Sequence, residues 1–171
     1  MKTFLTLVSI GAITLGSTLP SQAGAQTLQD AIKLTNKEQF ERATAAFKQL
    51  IIASPQNGEV WFYMGENYWE SEHPDSAEYC YHKGLEGNPH FALNTVGIGK
   101  TLWVKGKKPE AQAQFEGAVA SACDKANKNS KPAQAKVYRE VAEALVQGVD
   151  KDFAKAQEFI EIGRASCRER V

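Results

Sequence analysis

The chain has 171 residues, 43% of them hydrophobic and 23% charged, with 20 basic and 20 acidic side chains. That is enough for one globular unit of modest size. With a formal charge of zero, no general nucleic-acid or membrane-surface reading follows from charge.

Residues 1–25 read as a secretory leader. Lys2 supplies a positive start, Phe4 to Leu15 is an apolar run, and small residues around Ala23 and Ala25 offer two cleavage points. The run is shorter than the roughly 20 residues a membrane span needs, so no span is expected after cleavage. The leader has no Cys at its cleavage region, which argues against a lipoprotein anchor. The chain is therefore expected in the periplasm or outside the cell.

Thr27 to Pro55 follows. Its second half, FERATAAFKQLIIASP, places Phe40, Ala43 and Phe47 on one stripe at helical spacing and ends at Pro55.

Gly58 to Pro89 carries the strongest pattern. Trp61, Met64, Gly65 and Tyr68 stand at i, i+3, i+4 and i+7, and Ala77, Tyr81 and Leu85 make a second stripe. His73-Pro74-Asp75 separates them, because Pro74 drives the preceding residue out of the α region and suits the first turn of the next helix. Gly65 and Ala77 are small where the two helices must approach. The stretch resembles the tetratricopeptide repeat, with Met64 for Leu and Tyr81 for Phe. Stepping back 34 residues, Ala77, Tyr81 and Pro89 map to Ala43, Phe47 and Pro55. The first copy opens on weaker residues (Thr27, Asp30, Ala31, Leu34), as a terminal repeat should.

Stepping forward 34, Gly99, Leu102, Ala111, Phe115 and Ala118 form a third copy, broken at Gly106-Lys107-Lys108-Pro109. Cys123 takes the Pro place, so the second helix is expected to run on toward Asn127. A polar connection, NKNSKP, precedes a fourth copy built on Tyr138, Ala142, Leu145, Phe153, Ala156 and Ile160. The repeats thus fall at about 26–57, 58–91, 92–126 and 133–161, a repeat domain over 26–161. Ile162 to Val171 resembles a translated sequencing adapter and is set aside from the fold. The natural chain is then expected to continue past Glu161. The resemblance implies an all-α, right-handed superhelix of stacked helical hairpins.

Catalytic motifs are missing: there is no phosphate-binding Gly loop, no G-x-S-x-G and no H-E-x-x-H. His73, His82 and His90 lie near Cys80, yet Cys80 and His82 at i, i+2 do not share a helix face. No metal and no cofactor is expected. Cys80 and Cys123 read as small buried hydrophobes rather than a disulfide.

The resemblance further implies that the first helices line a concave face that binds peptides or proteins. Its positions here are Phe62, Glu66, Trp69 and Glu70, with Tyr63 at the edge; then Val96, Lys100, Trp103 and Val104; then Arg139, Glu140 and Glu143. Trp69 and Trp103 stand 34 apart, so they are equivalent. Two readings of them stay open: anchors for a partner, or cover for the seam between repeats. Chaperone-binding members clamp a carboxylate with Lys and Asn, whereas here Glu66 and Glu70 flank the Lys100 place. Gly58 to Phe91 holds seven acidic residues and one lysine, and Ala92 to Lys131 seven lysines and three acidic residues. That asymmetry fits attraction between stacked repeats, or a groove with acidic and basic ends.

The expected function is a non-enzymatic protein-interaction scaffold of the cell envelope, with no nucleic-acid partner and self-association left open. The alternative is the docking region of a longer envelope protein whose catalytic domain lies beyond residue 161.

Overall fold

The computed structural model describes residues 27–127, 130–148 and 151–168. The leader expected over 1–25 falls outside the described residues, as do the last three positions. Among the described residues there are eight α-helices, one short 3-10 turn and no strand: α1 (Leu28–Thr35), α2 (Phe40–Ala53), α3 (Gly58–Glu70), α4 (Pro74–Gly87), α5 (Ala92–Val104), α6 (Lys108–Cys123), α7 (Lys131–Leu145) and α8 (Phe153–Arg168).

Local chemistry sets the helix starts. The Thr27 hydroxyl accepts from the Asp30 amide at 3.2 Å and donates to its carboxylate at 2.6 Å. Asn57 accepts from the amides of Glu59 and Val60, and Ser130 from Ala133. Each satisfies donors that the first helical turn leaves open. Pro opens α4, and stands in the first turn of α6 and α7, where a missing amide costs nothing.

The first three hairpin turns share one geometry. Glu38, Glu72 and Gly106 stand 34 apart and all adopt left-handed φ, at 57°, 63° and 77°. After each, the next amide reaches back to a carbonyl five residues earlier: Gln39 to Leu34, His73 to Tyr68, Lys107 to Leu102. This closure normally uses glycine, because a Cβ crowds the backbone there. Two of the three positions hold Glu. We expect Glu38→Gly and Glu72→Gly each to raise stability by about 0.5–1 kcal/mol. Urea unfolding of the single variants checks this, and a lowered midpoint would contradict the turn geometry.

The helices pair as α1–α2, α3–α4, α5–α6 and α7–α8, and the first helices stand side by side in the order α1, α3, α5, α7. The fully buried Phe47, Tyr81 and Phe115 recur every 34 residues. Tyr81 and Phe115 are second-helix rings pinned beneath glycines of first helices. A Cβ built on Gly65 would lie 2.3 Å from the Tyr81 ring, one on Gly97 2.6 Å from the same ring, and one on Gly99 2.5 Å from Phe115. Asn67 is fully buried and joins the first two hairpins. Its amide nitrogen donates to the Phe40 carbonyl and the Thr44 hydroxyl, and its oxygen accepts from Thr35.

Helix α5 is enclosed almost all round. Ten of its residues between Ala92 and Trp103 are buried, because α3, α4, α6 and α7 all pack on it. Helix α6 stops at Cys123 instead of running on to Asn127. Asp124 takes an extended ψ of 122°, and the chain turns through a 3-10 turn at Lys125–Asn127. At the other end α8 continues to Arg168. Gly163 is buried, and a Cβ on it would lie 2.9 Å from that of Tyr138. Packing therefore extends past Glu161, through a glycine that carries no stripe in the sequence. Among the described residues no helix is long and apolar enough to cross a membrane.

Candidate functional site

An open depression of about 1060 Å³ lies between the α1–α2 hairpin, α3 and α7. Its floor is α3. Phe62, Tyr63 and Tyr68 give it aromatic surface, and Ile32, Phe40 and Phe47 add apolar wall from the first hairpin. Carboxylates come from every side. Glu38 and Glu41 enter from the first hairpin, Glu66 and Glu70 from α3, Glu72 from the next turn, and Glu140 and Glu143 from α7. Among the described residues no lysine or arginine lines it.

The sequence-derived positions divide. Glu66 and Glu70 line the depression. Phe62 is in its floor but only 2% exposed, ringed by Tyr63, Tyr81 and Phe91 at centroid distances of 5.2, 6.0 and 6.1 Å. It is core rather than a partner contact. Trp103 is likewise buried, against Phe115 at 6.5 Å, with its indole N–H unpartnered among the described residues. Val96 is buried too, and only Val104 of that face is exposed. The physical reason is α7. It packs along α5 and covers the face that the repeat pattern leaves open. Of the two readings of the equivalent tryptophans, seam cover describes Trp103. Trp69 is half-buried beneath the Lys100 ammonium, 4.7 Å from its ring centre, and does not line the depression.

Lys100 is no free groove cation. Its ammonium contacts both Glu66 oxygens, at 2.6 and 2.8 Å, and its side chain is 7% exposed. Glu66 also accepts from the Tyr81 hydroxyl at 2.6 Å. Burial, then the Glu66 charge, pushes the Tyr81 phenol well above its ordinary range, so it stays a proton donor. Glu66 and Lys100 stand 34 apart, at the same place in successive first helices. Lys105 similarly bridges to Asp75 and Glu78 of the preceding hairpin. The charge asymmetry of the sequence is thus used between stacked repeats, and the basic end expected of the groove is absent from its lining.

Arg139 is exposed on α7 beside the depression, near Glu140 at 3.2 Å and Glu143 at 3.5 Å. Partial burial, then the neighbouring Glu140, raises the Glu143 carboxyl above its usual range, with Arg139 pulling the other way. The sequence reading missed Glu38, Glu41, Glu72 and Tyr68 as lining residues. The 34-residue spacing of Glu38 and Glu72 was the available signal.

A second, apolar cleft of about 610 Å³ lies between α2 and α4, lined by Ile51, Ile52, Trp61, Met64, Tyr79 and Cys80 among others. Ile52 and Tyr79 are exposed there. Burial pushes the Cys80 thiol up to about 12, which keeps it a protonated, unreactive side chain. Cys123 is exposed rather than buried as expected, and neither Cys80 nor Cys123 is in a disulfide. Among the described residues no group of His, Cys, Asp and Glu has the arrangement of a metal site.

No protein-family profile matches the chain, and no curated protein matches it. Among solved structures the chain is similar to MamA, a tetratricopeptide-repeat protein, at 13% identity and a TM-score of 0.51. The match covers 86% of this chain and 82% of that one. At this identity the likeness carries the fold alone: an all-α stack of tetratricopeptide-type hairpins.

Proposed function

We propose that this chain is a non-enzymatic docking scaffold of the cell envelope, holding an extended peptide or protein partner in the depression between α1, α3 and α7. The observation that carries the reading is the depression itself. It is open, far larger than one side chain, and mixes aromatic floor with polar walls. Such mixtures bury a partner's apolar atoms while its polar groups keep hydrogen bonds. The fold is one that typically serves interaction rather than chemistry, and the leader supplies the case for export.

Site-specific photo-crosslinking tests this. A benzoylphenylalanine at Glu70, inside the depression, is expected to capture a defined partner in intact cells. The same group at Glu116, exposed on α6, is expected not to capture it. Identical products from both positions would remove the docking reading. Release of the protein with the periplasmic fraction checks export, and retention in the cytoplasm would overturn that part.

A further inference from the structure

The inference rests on the docking reading and names the partner's chemistry. We propose that the depression takes an extended segment rich in lysine or arginine, held by carboxylates from α2, α3, α7 and the hairpin turns against an aromatic floor.

The acidity of the lining is local. The whole chain balances 20 basic against 20 acidic residues, so an acidic cavity is not a by-product of an acidic protein. The counter-charges nearby are already committed. Lys100 is buried against Glu66, and Arg139 engages Glu140 and Glu143 from the exposed side of α7. Among the described residues none forms an ion pair with Glu38, Glu41, Glu70 or Glu72. Like charges gathered round one cavity repel, and a cationic guest relieves that repulsion where an acidic or phosphate-bearing one adds to it.

The aromatic floor is the second part of the argument. The chain's own lysines display the contact a guest would make. Lys136 places its ammonium 4.5 Å from the centre of the Tyr63 ring and 5.4 Å from that of Phe62, and donates to the Tyr63 hydroxyl. The chain itself thus fills that contact, and Tyr68 is the floor ring left to a guest. Lys100 does the same over Trp69 while bonded to Glu66. Ring faces and carboxylates together take a cationic head out of water with both attractions retained. The cavity volume of about 1060 Å³ accommodates several residues of an extended strand rather than one side chain.

The test is fluorescence anisotropy with the full chain and three labelled decapeptides alternating Ser with Lys, Gln or Glu. Binding of the Lys peptide alone, weakening as salt is added, is expected. Glu70→Gln/Glu143→Gln, two exposed positions in the lining, is expected to weaken it about tenfold. Glu110→Gln/Glu116→Gln on α6 changes the net charge equally and is expected to leave it unchanged. Equal weakening by both pairs would overturn the proposal in favour of a diffuse field. Equal binding of the Gln peptide would leave a docking groove but remove its preference for cations. Capture from Glu70 in cells with no binding of the Lys peptide also overturns the cationic assignment while docking stands. Failure of both experiments removes both.

Discussion

Glu66→Ala is expected to lower stability by about 3–5 kcal/mol, the largest single effect at the site. The change leaves the Lys100 ammonium in a side chain only 7% exposed with its carboxylate gone. It also strands the Tyr81 hydroxyl, which donates to the same carboxylate at 2.6 Å. The Trp69 ring beneath Lys100 offsets only part of that loss, since a cation–π contact is worth about 0.5–2 kcal/mol. Replacing both charges at once behaves differently. Glu66→Leu/Lys100→Met removes the need for either partner, and buried pairs replaced by apolar residues of similar size are often neutral. The double variant is therefore expected to recover the part of the loss that comes from the unpaired Lys100 ammonium, while the Tyr81 hydroxyl still lacks its acceptor. Urea unfolding of Glu66→Leu, Lys100→Met and the double variant forms the cycle. Strict additivity would show that the two side chains do not act as a pair.

Gly65→Leu is expected to cost about 3 kcal/mol, the upper part of the usual range for overpacking. A Cβ alone at this position lies 2.3 Å from the Tyr81 ring. The ring has little room to move, because Gly97 also packs against it and a Cβ there would lie at 2.6 Å. Tyr81 is fully buried and joins the second hairpin to the third. The helices must then part, and hairpin stacks lose neighbour contacts on both sides of a misfitted interface. Thermal melting by circular dichroism is expected to show a midpoint roughly 6–12 °C lower. An unchanged midpoint would mean that the helices do not meet at this glycine.

The sequence by itself determined the repeat. Rings at Phe47, Tyr81 and Phe115, small residues at Gly65 and Gly99, and Pro-bearing helix starts are local signals, and each recurs at one spacing because each hairpin solves the same packing problem. Periodicity therefore located the helices and the pins between them. It did not reveal that Glu38 and Glu72 occupy left-handed turn positions, since the usual mark of that conformation is glycine and only Gly106 carries it.

Only the tertiary structure decided which face stays open. A pattern of 34 residues assigns Phe62 and Trp103 to the concave side by analogy between repeats. Whether that side meets solvent depends on helices far away in the chain. Here α7 lies along α5, and Lys136 reaches Tyr63 across 73 positions, so half of the expected groove becomes core. Charge followed the same rule. Glu66 and Lys100 stand as separate groove residues in the sequence, but stacking brings them to 2.6 Å. Two opposite charges leaving water together are far more stable paired than apart. The carboxylates left over are those no neighbouring hairpin could reach, and it is these that give the depression its sign.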